Sequence, residues 1–305
     1  MSDLKKERNA FFDELVENGL FIPTGVAGFY GRGGAFEDVV RQFGLLVGQY
    51  SESDGAERIF FPPLVQKTTL ERAGYMETMP HLCGVVHSFS GDEGEHKKLL
   101  SAIKEGEDWS GFLEATDLAL TPAACYPLYP TASGTLKEGG RLVDLDAGYV
   151  FRREPSEDPA RLQMFRQREM VRMGPPELVQ EWRGVWMERG ESVLRSLGLD
   201  VVVEVASDPF FGRGGRMLSA SQKQQELKFE MQVPIVSREH PTAVTSFNYH
   251  TSHFGETFGI LSNDGEYAHT ACLGFGVERI ALALFRRHGM QPTRWPSSVR
   301  TLLWP

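Results

Sequence analysis

The sequence predicts an α+β fold in which antiparallel strands are flanked by helices. Residues 149–151 and 162–171 alternate apolar and polar side chains on either side of Pro155, Ser156, Asp158 and Pro159, which reads as two strands joined by a turn-rich loop. Residues 226–234 alternate as strongly, and long stretches with helical spacing separate these strands. Period-2 geometry places Arg152 and Glu154 on one face of the first strand and Phe165, Gln167 and Glu169 on one face of the second. A cation, an aromatic plate and carboxylates can thus converge on one sheet surface. A solvated hairpin of mixed charge is the other reading of this stretch taken alone.

A chain of 305 residues, 41% hydrophobic and 24% charged, can bury one large core or two modest ones. The net charge of −9 argues against a broad nucleic-acid footprint, because phosphate binding recruits a surplus of Lys and Arg, although a local basic groove stays open. The N-terminal stretch has no uninterrupted apolar region, and no later segment approaches the length that spans a bilayer, so no membrane association and a cytoplasmic location are expected. Cys83, Cys125 and Cys272 are odd in number and widely spaced, which does not suggest a disulfide framework. Buried thiols or metal ligands are the two options.

Taken in order, residues 3–18 repeat Phe11, Phe12, Leu15 and Val16 at helical spacing and stop at Gly19, a good residue to follow a helix. Residues 22–34 are glycine-rich but lack a G-K-[ST] ending, so a structural loop is expected rather than a phosphate cradle. Helical periodicity returns over 35–50 through Phe36, Val39, Val40, Phe43 and Leu46. A short helix is expected over 66–73 and a strand over 85–90. The polar stretch 91–111 reads as a surface helix supported by charge pairs. His81, His87 and His96 have no tight metal spacing and stay unassigned.

Residues 118–130 are apolar and punctuated by proline, which suits a strand end and a tight loop beneath a pocket, with Cys125 inside it. Pro175 and Pro176 open a long helix through Trp182, Trp186 and Leu194, with Gly198 as its end. A strand is expected over 199–206. Residues 208–223 are locally basic and read as a surface loop leading into a helix. The next strand, over 226–234, puts Glu226, Lys228 and Glu230 on one face. Residues 242–258 are strand-like and carry Ser246, Asn248, His250 and His253; the H-x-x-H spacing is read as structural rather than metal-binding. With no internal repeat or low-complexity linker, 1–305 reads as one catalytic domain with an N-terminal helical extension over about 1–55.

The stretch CLGFGVER, residues 272–279, opens the apolar segment 280–285. Its two glycines at strand spacing permit close approach of a ligand or another backbone, and Arg279 falls in the first turn of the following helix. The pair FRRE…R…F and GFGVER, in this order and about a third of the chain apart, resembles motifs 2 and 3 of class II aminoacyl-tRNA synthetases. The family's motif 1, a strand ending in proline at a dimer interface, is matched more loosely by residues 58–63, after a helix in the matching place. The resemblance spans roughly 58–285 and implies a class II synthetase-like antiparallel sheet flanked by helices, and a homodimer.

In such enzymes an amino acid carboxylate attacks the α-phosphorus of ATP. No general base is needed, since the carboxylate is already ionised near neutral pH. The enzyme instead positions two anions and stabilises charge on phosphoryl oxygens. The resemblance implies that Arg152 contacts the α-phosphate, Glu154 the adenine edge, and Phe165 the adenine face, with Arg161 and Arg279 bracketing the distal phosphates and Mg2+ accompanying ATP. Planar guanidinium groups and an aromatic plate suit these tasks. Lys228 and Glu230 lie on the strand that in the family carries acidic metal contacts, and Lys228 departs from that acidic pattern.

Within class II, the sequence most resembles the catalytic core of methanogen-type seryl-tRNA synthetases. That core binds zinc through Cys, Glu and Cys, and the matching positions are Cys125, Glu169 and Cys272, which implies one Zn2+ per subunit with a coordination position open to the substrate's α-amine. Glu169, Ser246 and Asn248 are the implied amino-acid contacts. Only about 34 residues precede the interface helix and about 26 follow motif 3, so the usual tRNA-binding domain is not expected at either end. The length, AACYP and SFNYHTSHFG then resemble the amino acid:carrier protein ligases. These load a small amino acid, chiefly glycine or alanine, onto the phosphopantetheine thiol of an acidic carrier protein. A minimal seryl-type tRNA synthetase and a catalytically silent regulatory paralogue are the alternatives. The basic stretch with Arg213, Arg216 and Lys223, opposed only by Asp208, is the expected carrier-docking surface.

Overall fold

Along residues 269–276, Leu273 and Phe275 alternate with Cys272 and Gly274, sending bulk to one sheet face and small groups to the other. The computed structural model, which describes residues 2–305, carries this division across the central sheet. The chain opens with helix α1 (Ser2–Glu17), hairpin strands β1 (Phe21–Val26) and β2 (Phe29–Arg32), helix α2 (Gly34–Ser53) and strand β3 (Glu57–Ile59). A peripheral unit follows: β4 (Leu64–Gln66), α3 (Lys67–Arg72), α4 (Tyr75–Thr78), β5 (Val85–Ser88), α5 (Glu93–Glu105) and β6 (Glu114–Leu120), with β6 pairing between β4 and β5.

Next come β7 (Gly134–Thr135), β8 (Arg141–Phe151), β9 (Met164–Gly174), α6 (Pro176–Ser196), β10 (Val202–Val205), α7 (Gly212–Gln224), β11 (Lys228–Val233) and β12 (Thr242–Tyr249). The chain ends with α8 (His253–Phe258), β13 (Ile260–Leu261), β14 (His269–Gly276), α9 (Val277–His288) and α10 (Ser297–Leu303). The central sheet has the order β10-β11-β12-β14-β9-β8-β3. All its neighbours run antiparallel except β3, which lies parallel to β8.

One face of this sheet is buried under helices. Phe247, Leu273 and Phe275 share a core with Phe43 of α2, Trp186 of α6, and Ile280 and Phe285 of α9. Full burial of such a side chain contributes about 1.5–3 kcal/mol. Helix α6 approaches so closely at Gly190 that an added Cβ would lie 3.2 Å from the Phe247 ring. The opposite face is covered only in part, by Tyr129, Phe254 and Phe258 packed near Val143, Leu145 and Val171. The rest of that face is open and polar. The sheet thus offers a rigid platform anchored from behind.

Several expected elements differ in detail. Residues 22–34 form most of the β1–β2 hairpin rather than a loop; Gly25 and Gly28 take positive φ at its turn, and the Phe21 and Tyr30 rings stack at 5.2 Å. The glycines hid the strand alternation. Strand β8 ends at Phe151, so Arg152 and Glu154 lie in the following turn and not on a strand face. Glu226 sits at φ 51 before β11, which leaves only Lys228 and Glu230 on the shared face. Strand β12 stops at Tyr249, and His253 starts α8. In the stretch 91–111, α5 carries a capping box between Asp92 and Glu95.

Candidate active site

The open sheet face is the floor of a cleft of about 490 Å³. Opposed residues on antiparallel strands share a face, so the register Lys228–Asn248–Cys272 and Glu230–Ser246–Gly274–Glu169 sets two polar rows side by side. Gly274 leaves the middle of the floor bare: a Cβ there would stand 3.5 Å from Gln167 and 3.8 Å from Ser246. Peripheral loops supply the walls, with Tyr126 and Cys125 on one side and Asp208 and Phe210 on another.

At one end, Cys125, Glu169 and Cys272 converge. Their ligand atoms lie within 4.8 Å of one another and all three residues are buried. The Cys125 amide donates to the Glu169 carboxylate at 2.9 Å, and the Asn248 side-chain amide donates to the Cys272 sulfur at 3.3 Å. Burial pushes the Glu169 carboxyl up, and the Cys125 hydrogen bond together with burial pushes the Cys272 thiol well up. Three acidic groups crowded this way, with no ion pair to Glu169 among the described residues, fit a divalent cation that would favour their ionised forms. Two thiolates and one carboxylate are a zinc donor set with a position left open. The His250 ring lies 3.7 Å from the Cys272 sulfur and bonds to Thr270 at 3.0 Å; burial pulls it down to about 4, so it is a neutral neighbour of the cluster.

The other end is cationic. The Arg152 guanidinium lies 5.6 Å over the Phe165 ring and donates to the Pro122 carbonyl at 3.0 Å. Arg279 is held by the Ala160 and Ala243 carbonyls, each at 2.8 Å. Burial, then the charges of Arg161 and Arg152, lower Arg279 to about 10. A polyanion between these arginines would relieve that repulsion. Arg161 and Glu154 pair with each other at 2.8 Å in the turn between β8 and β9. Neither of these two lines the cleft floor as Arg152, Phe165 and Arg279 do.

Lys228 is spent on ion pairs, to Asp208 at 2.6 Å and to Glu230 at 3.2 Å. Burial opposes ionisation of Asp208, but Lys228, the Gln222 amide and Arg152 outweigh it and draw the carboxyl down to about 2. Asp208 therefore belongs to the cleft wall and does not oppose the basic side chains of α7, as the sequence reading had it. Sequence reasoning also passed over Gln167 as a site residue. It accepts from the Ala124 amide at 3.2 Å and so steadies the turn that carries Cys125; its place between Phe165 and Glu169 on one strand face was the available signal.

No family model matches the chain. It is 46% identical over 293 residues to amino acid–acyl-carrier-protein ligase 1 of Bradyrhizobium diazoefficiens, covering 95% of this chain and 89% of that protein. Ligase 2 of the same organism is 45% identical, with 95% and 87% covered. The type-2 serine–tRNA ligase of Methanococcus aeolicus is 26% identical over 84% of this chain and 52% of its own length. Among solved structures, M. kandleri seryl-tRNA synthetase in complex with A. aeolicus tRNASec superposes with a TM-score of 0.83 at 23% identity, over 97% of this chain and 60% of that one. Seryl-tRNA synthetase from Pyrococcus horikoshii, complexed with ATP, gives 0.70 at 15% identity, over 96% and 62%. The fold is that of a class II synthetase core, and identity approaching one residue in two with the carrier-protein enzymes runs through nearly all of it, so this chain belongs to the amino acid:carrier protein ligases and is an enzyme of that ligase class.

Proposed function

We propose that the cleft activates a small amino acid, glycine or alanine, with ATP and passes it to the phosphopantetheine thiol of an acidic carrier protein. One observation carries this reading: the Cys125–Glu169–Cys272 cluster and the Arg152–Phe165–Arg279 group occupy opposite ends of one cleft. In the first step the carboxylate oxygen bonds to the α-phosphorus and pyrophosphate leaves. In the second, the carrier's sulfur bonds to the carbonyl carbon, AMP leaves, and the thiol proton goes to solvent.

Arg152 holds the α-phosphate, Phe165 stacks on adenine, Glu154 reads its edge, and Arg161 and Arg279 hold the distal phosphates, with Mg2+ accompanying ATP. Glu230 is the acid of β11 facing that metal, and Lys228 restrains it. Cys125, Glu169 and Cys272 hold one zinc ion per subunit, which when bound supplies a Lewis acid for the neutral α-amine. Ser246, Asn248 and Glu169 surround the amino acid beside the bare floor at Gly274. The whole chain acts as one catalytic domain with residues 1–55 as its extension.

The carrier docks on α7, where Arg213, Arg216 and Lys223 are exposed. A homodimer forms through the α2–β3 side, where Leu45 and Phe60 are exposed at 45% and 65%; light scattering that reports a monomer at micromolar concentration would count against it. No helix among the described residues is long and apolar enough to cross a membrane, and the proposed location is cytoplasmic.

Amino-acid-dependent pyrophosphate exchange followed by labelling of a holo-carrier tests the reading. Exchange with glycine or alanine and label on the holo form alone are expected. No exchange with any of the twenty amino acids would make the chain a silent paralogue, and label on tRNA would make it a minimal synthetase.

A further inference from the structure

Among the described residues, the side-chain hydrogen bonds that α7 makes to residues outside it end on Asp208, apart from the bond that Ser221 accepts from Gln225 at the helix end. Gln222 Nε2 donates to its carboxylate at 2.9 Å, the Asp208 amide donates to Gln222 Oε1 at 2.7 Å, and the Ser219 hydroxyl donates to the Asp208 carbonyl at 3.3 Å. Only Gly215 of α7 is buried, against the Phe210 backbone. The helix therefore has little apolar anchorage. The two carboxylate oxygens of Asp208 divide their partners: Oδ2 takes Gln222, and Oδ1 takes the Lys228 ammonium on β11 at 2.6 Å. Lys228 lies in the row that continues through Asn248 to Cys272.

We propose that Asp208 is a positioning residue that latches α7 to the catalytic sheet, so that a carrier docked on α7 presents its thiol to the activated amino acid. This rests on the reading of α7 as the docking helix. A latch of this kind acts on delivery and not on capture. The docking side chains travel with the helix, whereas the reach of the tethered thiol depends on where the helix is held.

Gln222→Ala removes the two bonds that Gln222 makes to Asp208, leaves only the longer one from Ser219, and keeps a good helix former on a surface helix. Expected are pyrophosphate exchange within about twofold, carrier affinity by calorimetry within about threefold, and kcat for transfer to holo-carrier lowered about tenfold. Gln222→Glu, which sets a carboxylate against Asp208, lowers transfer further. Wild-type transfer by Gln222→Ala, with carrier affinity still lost in Arg213→Glu/Arg216→Glu, overturns the latch and leaves the docking reading standing. Equal loss of exchange and transfer in Gln222→Ala assigns a general structural role and also overturns it. Carrier affinity untouched by the double arginine change overturns the docking reading, and the latch with it.

Discussion

The Cys125 backbone amide donates to the Glu169 carboxylate at 2.9 Å, and the Cys125 thiol belongs to the same three-donor cluster as that carboxylate. One turn residue thus orients one donor group and supplies another, an arrangement of the kind by which outer contacts set the geometry of metal sites.

Elemental analysis of purified protein is expected to find about one zinc per chain, as a three-ligand site with an open position requires. Cys272→Ala should empty the site and abolish amino-acid-dependent exchange, while ATP affinity changes less than about threefold, because the nucleotide end of the cleft is separate from it. Full activity in zinc-free protein would overturn the assignment.

Arg279→Ala is expected to lower the exchange rate about a hundredfold or more, the usual cost of removing a preorganised group that stabilises charge in the transition state. Arg279→Lys should not restore it. A single ammonium cannot hold the Ala160 and Ala243 carbonyls and still face phosphate in a plane. Exchange within threefold of wild type in either variant would remove Arg279 from the ATP site.

Arg213→Glu with Arg216→Glu should slow thioester formation on the carrier at least about tenfold, with the larger part of the loss in association rate and a weaker dependence on salt. Stopped-flow transfer at several ionic strengths reads this directly. Equal loss in adenylate formation would place these arginines at the ATP phosphates instead, and no loss would move docking elsewhere, the polar 91–111 stretch first.

Asp208 ionises at about 2 in the fold against an ordinary 3.8, so its contribution to stability is present above the ordinary value and lost as pH falls toward 2. The charges that hold it are Lys228 and Arg152, and Glu230 competes for Lys228. Asp208→Asn should lack this part of the acid dependence, on the order of 2 kcal/mol. Denaturant midpoints measured from pH 2 to 7 test it. Parallel pH profiles for the two proteins would show that Asp208 is not the group responsible.

Arg168 is 2% exposed and is held by Asp144, by Asp146 at 3.0 Å and by the Gly44 carbonyl at 2.6 Å. Arg168→Ala leaves Asp144 buried without its cation and should cost about 3–5 kcal/mol in urea unfolding. Lys5→Ala, which breaks the exposed pair with Glu157, should leave the midpoint unchanged. Similar losses in both would contradict burial as the cause.

By itself the sequence determined the elements whose side-chain period is local: the alternation of β9 and β14, the helical stripes of α2 and α6, and the glycine stops at Gly19 and Gly198. It also determined which residue types were available for anions and for a metal. It was less informative where the backbone departs from a regular period. The β1–β2 hairpin was masked by glycines, and β8 ends at Phe151, before the Arg152 and Glu154 that alternation had placed on it.

Only the tertiary structure decided which of these residues meet. Cys125 and Glu169 are 44 residues apart, and Cys272 joins them because β14 pairs with β9. Asp208 reads as a loop acid in the sequence, yet it becomes cleft wall because β11 places Lys228 within 2.6 Å of it. Side-chain direction along a strand follows from the backbone of that strand alone. Strand order and the seating of a loop follow from which apolar faces can be buried together, a property of the whole chain that no local spacing records.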